Sequence, residues 1–122
     1  MVFQKILREM LRSIPGAIGA VFLDREGEAV DLFAEDVFEI GDDGLRALGA
    51  YAGIFWSNVR RACERIDAGA PLMLTLDFDN GKVFSCDLKD GYYLVLIVAN
   101  GANEGVTVQS LLRCRKQLIA EI

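Results

Sequence analysis

The chain has 122 residues, 52% apolar and 25% charged, with 18 acidic against 13 basic side chains and a net charge of −5. That size suits a single domain over residues 1–122 whose core folds without disulfides or metal. The acidic balance excludes a nucleic-acid surface, which needs a basic face to neutralise phosphates. Histidine is absent, which removes the commonest general base and the commonest zinc ligand.

The first predicted element is a helix carrying Val2, Phe3, Ile6, Leu7, Met10, Leu11 and Ile14 at helical spacing, ended by Pro15-Gly16. Gln4, Lys5, Arg8, Glu9 and Arg12 interrupt any signal-peptide-like apolar stretch. Next comes a strand apolar on both faces, Ala17 to Leu23, then a turn at Arg25-Glu26-Gly27 and a weaker strand from Glu28 to Phe33. Ala34 to Gly41 reads as a linker. Asp42 or Asp43 offers an N-cap for a second helix that runs to about Asp67 before Gly69 and Pro71 stop it. Strands Leu72 to Phe78, Lys82 to Leu88 and Tyr92 to Ala99 follow, and a loop through Asn103 leads into a final helix with Val108, Leu111, Leu112, Leu118, Ile119 and Ile122. No apolar run approaches the ~20 residues that span a bilayer. The three cysteines, Cys63, Cys86 and Cys114, form no CxxC pair and read as buried thiols of a reducing compartment, so a cytoplasmic location is expected.

Arg25-Glu26-Gly27, Asp79-Asn80-Gly81 and Lys89-Asp90-Gly91 are each three residues ending in glycine, which suits a type I turn closed by a left-handed glycine. For the middle hairpin this sets Phe78 opposite Lys82, Leu76 opposite Phe84, Leu74 opposite Cys86 and Leu72 opposite Leu88. One face is then almost wholly apolar, and Thr75, Asp77, Ser85 and Asp87 share the other. The strands beginning at Ala17 and Tyr92 belong in the centre of a sheet covered on both sides, and those at Glu28 and Leu72 suit edges. The fold class expected is α/β: a three-layer α/β/α sandwich around a five-stranded, mainly antiparallel sheet of order 2-1-5-4-3. Gly16, Ala17, Gly19 and Ala20 admit a helix close to the first strand.

The run Ile14-Pro15-Gly16-Ala17-Ile18-Gly19-Ala20-Val21-Phe22-Leu23-Asp24, followed by Glu26-Gly27-Glu28, resembles the opening signature of the roadblock (dynein light chain) family. There a first helix leads into "GA-x-GA" and then a "D-x-x-G" turn, and the element order matches along the whole chain. The resemblance implies a roadblock/profilin-like sandwich that dimerises. It also implies work of a particular kind: binding and regulating or localising a small Ras-like GTPase, or tethering cargo, with no catalytic group and no cofactor. Readings from other classes are a profilin- or PAS-like sensory domain holding a small apolar ligand, and a scaffold indifferent to nucleotide. Unlike the family pattern, helix two is markedly aromatic, with Tyr51, Phe55 and Trp56.

Helix two carries the candidate surfaces. Leu45, Leu48, Ala52, Phe55, Trp56, Val59, Cys63 and Ile66 form a stripe expected to face the sheet. Beside it lie Gly49, Gly53 and Ser57. Glycine costs about 1 kcal/mol against alanine inside a helix, so this lane predicts close backbone approach, either to a second subunit or to the chain's own sheet. The subunit contact is favoured. The edge strand adds Leu72, Leu74 and Leu76 to that dimer interface, since no lysine or internal proline blocks strand pairing there. Tyr51, Ile54, Asn58, Arg61 and Arg65 remain as the expected partner surface, with Arg46 and Arg60 nearby. The loop Asn100 to Gly105 lacks the lysine of a phosphate loop. The many carboxylates, Asp24, Glu26, Asp31, Glu35, Asp36, Asp42 and Asp43 among them, fall on turns and caps with no acid–base pairing.

Overall fold

The computed structural model describes residues 2–35 and 41–122. The elements are α1 (Val2–Arg12), β1 (Ala17–Leu23), β2 (Ala29–Ala34), α2 (Gly41–Arg65), β3 (Met73–Phe78), β4 (Gly81–Asp87), β5 (Tyr93–Ala99) and α3 (Glu104–Glu121). The five strands are antiparallel throughout, in the expected order β2-β1-β5-β4-β3. Most of the linker between β2 and α2, residues 36–40, lies outside the described residues. Gly41 already belongs to α2, so Asp42 and Asp43 occupy its first turn rather than the cap position, where their charge favours the positive end of the helix dipole.

Alternation along the central strands builds two cores. Ala20 and Phe22 of β1, with Leu94 and Leu96 of β5, pack under α1 and α3. Val21, Leu23, Tyr93 and Val95 pack under α2 against Leu45, Ala52 and Trp56. This is why β1 and β5 are apolar at every position. At Gly19 an added Cβ would lie 3.0 Å from Leu45, so the glycine lets α2 settle onto β1 as the sequence suggests.

The outer hairpins follow expectation more closely than the middle one. Gly27 is left-handed at φ 83°, and the Asp24 carboxylate accepts the N–H groups of Glu26 and Glu28, each at 3.0 Å. In the last hairpin Gly91 is left-handed too, but so is Asp90 at φ 58°, in the manner of a type I′ turn rather than type I. The middle hairpin corrects the predicted register. Phe78 pairs with Gly81, Leu76 with Val83 and Leu74 with Ser85, leaving only Asp79-Asn80 in the loop. Matching apolar with apolar fails here because β4 is buried on both sides: Phe84 and Cys86 belong to one core and Val83 to the other. Gly81 is a strand residue whose missing Cβ would lie 2.6 Å from the Val98 carbonyl oxygen, so it serves the close approach of β5 and not a left-handed turn.

Burial pushes the Cys86 thiol up to about 12, outweighing the nearby Arg115, and burial likewise pushes Cys114 up to about 12. Unfolded thiols ionise near 9, so between those values the unfolded state holds fewer protons than the folded one. This contribution to stability is complete below pH 9 and is lost as pH rises toward 12. At about pH 8 a thiol reagent should modify half-buried Cys63 alone in the native protein, and all three cysteines in denaturant. Native modification of Cys86 or Cys114 at the rate of Cys63 contradicts this packing.

Candidate protein-interaction site

Three hydrogen-bonded contacts fix α2 on the sheet. The Trp56 indole N–H donates to Ser85 Oγ at 2.8 Å, and that hydroxyl donates to the Leu94 carbonyl at 2.8 Å. The Arg60 guanidinium lies 5.3 Å over the indole ring and pairs with Asp87 at 2.7 Å. Nearer the helix start, the Tyr93 hydroxyl donates to the Gly49 carbonyl at 2.8 Å. Burial raises the Tyr93 phenol to about 12, helped by Asp24 and opposed by Arg60.

This seating corrects the reading of the small lane. A Cβ at Gly49 would lie 2.6 Å from Leu23, and one at Gly53 would lie 2.5 Å from the Tyr93 hydroxyl. Both glycines therefore face the chain's own sheet, where the close approach they permit is used. Ser57, one turn on, is exposed. The outer flank of the predicted core stripe is left out instead: Phe55 is 50% exposed and Ile66 73%, with Val59 and Cys63 half-buried. The stripe and lane together cover more of the circumference than a helix resting on a sheet buries. That excess width was the available signal that one flank needs another partner.

The stranded flank meets the open side of β3. α2 packs mainly over β1, β2 and β5, and between it and β3 runs an apolar groove of about 130 Å³, lined by Ala52, Phe55, Val59, Leu74, Leu76 and Val83. Leu72 is 67% exposed, and Leu76 and Phe78 are exposed as well. The two sheet edges differ in chemistry. On β2, Leu32 N–H donates to the Asp31 carboxylate at 2.9 Å, and the Gln4 amide donates to the Leu32 carbonyl at 3.4 Å. Side chains thus occupy backbone groups that a further strand would need. No side-chain hydrogen bond of this kind covers the backbone of β3 among the described residues.

The residues expected to form the partner strip are exposed. Tyr51 is 66% exposed, and Ile54, Asn58, Arg61 and Arg65 are all at least partly exposed on the outward side of α2. Ile54 and Arg61 lie on the flank opposite the apolar groove, beside the β1–β2 turn. Among the described residues no group of three His, Cys, Asp or Glu side chains is placed to hold a metal ion, and no helix is long and apolar enough to cross a membrane. The start of α3 is closed by its own residue: Asn103 Oδ1 accepts the Val106 N–H at 2.9 Å.

Comparison with known proteins agrees with this architecture. Solved structures that superpose on the chain include a Roadblock/LC7 domain from Streptomyces avermitilis, with TM-score 0.84, 19% identity and coverage of 94% of this chain and 92% of that one. The gliding protein MglB from Thermus thermophilus superposes with TM-score 0.85 and 16% identity over 95% of this chain and 84% of its own. Myxococcus xanthus MglB gives TM-score 0.86 and 9% identity over 98% and 94%. At these identities the likeness is one of fold. A comparison with curated protein sequences returns no match. The family model of the Roadblock/LC7 domain matches residues 3–98, most of the chain and every element up to β5, and the chain belongs to the Roadblock/LC7 domain family.

Proposed function

We propose that this chain is a homodimeric protein-binding module that binds a small Ras-like GTPase and regulates or localises it, contributing a surface and no catalytic group. The observation that carries the reading is the apolar surface shared by the outer flank of α2 and the open edge of β3, which a single copy leaves in water. Family membership and the likeness to the MglB gliding proteins support it.

A strand pairing can be stated for the dimer. Asp87 N–H donates to the Leu72 carbonyl, so the alternate residues Leu72, Leu74 and Leu76 bond inward to β4. Met73, Thr75 and Asp77 then turn their backbone groups outward. A two-fold axis through Thr75 sets Met73 opposite Asp77 and Leu74 opposite Leu76, and it joins the two apolar grooves into one seam under a pair of α2 helices. Dimer formation leaves Ile54, Asn58, Arg61 and Arg65 on the outside, doubled by the axis. An aliphatic residue among arginines is a composition suited to binding.

The test is capture of small GTPases, loaded with GDP or with a GTP analogue, by the purified dimer. Ile54→Glu should abolish capture, a cost above about 2 kcal/mol, with dimer and melting temperature nearly unchanged. Tyr51→Ala should weaken capture as well. Arg61→Glu should weaken capture and reduce its sensitivity to salt. Capture equal in both nucleotide states identifies a tether rather than a regulator. Wild-type binding by these variants, with loss caused by changes on α1 or α3, overturns the surface assignment.

A further inference from the structure

Between the β1–β2 turn and the flank of α2 opposite the apolar groove lies a cleft of about 360 Å³, lined by Arg25, Glu26, Ile54, Ser57, Asn58 and Arg61. Glycines on both walls keep it open. An added Cβ at Gly53 would lie 2.5 Å from the Tyr93 hydroxyl, which reaches the Gly49 carbonyl there, and one at Gly27 would lie 3.6 Å from the same hydroxyl. Arg25 and Arg61 both line this concavity. Arg25 is held in place by donating Nε and Nη2 to the Asp90 carbonyl at 3.3 and 3.1 Å, a neutral acceptor. Arg61 makes one long bond of 3.3 Å to Ser57 Oγ. Neither takes part in an ion pair among the described residues, although the chain carries 18 carboxylate side chains. A molecule of net charge −5 thus brings two arginines without ion pairs to one cleft, beside the single carboxylate of Glu26.

We propose that the cleft is a carboxylate-binding site that receives an acidic segment of a protein partner. One aspartate or glutamate side chain enters between Arg25 and Arg61, and a neighbouring aliphatic residue rests on Ile54. The planar fork of arginine fits a carboxylate in two-point contact, and Ser57 and Asn58 supply neutral hydrogen-bonding groups beside it. Glu26 on the turn repels a second carboxylate, which limits the site to one. That the segment comes from the GTPase rests on the partner-surface reading above; the chemistry of the cleft does not.

The direct test follows the arginine Nε–H signals of Arg25 and Arg61 and the Gly53 amide by NMR in the 122-residue chain. The probes are blocked tetraglutamate, blocked tetraglutamine and inorganic phosphate. Tetraglutamate should shift these signals saturably and tetraglutamine should not, and Arg61→Gln should weaken the response by at least roughly ten-fold. No shift with tetraglutamate, an unchanged response in Arg61→Gln, or phosphate binding as tightly as the peptide overturns the proposal. The two readings separate cleanly. If Ile54→Glu abolishes GTPase capture while Arg25→Gln and Arg61→Gln leave it at wild-type affinity, the surface stands and the cleft proposal falls. If tetraglutamate binds as expected and GTPase capture ignores all three changes, the cleft stands and the partner-surface reading falls.

Discussion

Replacing Trp56 by alanine is expected to cost about 3–5 kcal/mol of stability and to lower the melting temperature by about 10–20 °C. The side chain is 1% exposed and is the largest fully buried group among the described residues. Its removal leaves a cavity between α2 and the sheet and deprives Ser85 of its donor. It also strips the Arg60 guanidinium of the ring beneath it, next to the Asp87 pair. Trp56→Phe separates the contributions: it keeps most of the volume but loses the indole N–H, so its cost should be nearer about 1–2 kcal/mol, the size of a lost buried hydrogen bond. Thermal and urea unfolding of the three proteins provides the check. A melting temperature for Trp56→Ala within a few degrees of wild type contradicts the packing described.

The second large effect is expected at the groove. Phe55→Glu should raise the dimer dissociation constant at least about 100-fold, which is ~2.7 kcal/mol, and give monomers at tens of micromolar. Phe55 is half exposed and belongs to neither core, so far-ultraviolet circular dichroism of the variant should match wild type. Leu76→Lys on β3 should act in the same direction by placing a charge in the seam. Light scattering read beside circular dichroism distinguishes a split dimer from an unfolded chain. A wild-type protein that is monomeric at that concentration, or a Phe55→Glu variant that stays dimeric, removes the proposed seam. Gly53→Glu is unsuitable for this purpose. It forces a side chain toward the Tyr93 hydroxyl and damages the fold whatever the subunit arrangement.

Much of the fold is legible because each central strand is apolar at successive positions, which demands cover on both faces and so fixes β1 and β5 inside the sheet. The polar alternation of β2 and β3 sends them to the edges by the same reasoning. The register of the middle hairpin was not legible, since β4 mimics a one-sided strand at Ser85 and Asp87 although Ser85 is buried and bonded to Trp56. The strip through Ile54 and Arg61 is exposed, as its helical offset from the sheet-facing positions requires. Helix periodicity misassigned Gly49 and Gly53 because a glycine records that something comes close and not what. The positions of Leu23 against Gly49 and of Tyr93 against Gly53, each far along the chain, decide that the close neighbour belongs to the same molecule.

The unequal sheet edges set a limit on growth. With both backbone groups of Leu32 engaged by Asp31 and Gln4, β2 is blocked at the centre of its outward row, while β3 keeps its own groups free of side chains. Strand pairing is therefore favoured at β3 over β2. Any chain that joins it through β3 consumes the open edge, and if that chain is another copy, the product presents its two β2 edges to solution. Polymerisation by sheet extension is disfavoured after that step, which lowers the risk of fibres that an open apolar edge otherwise carries.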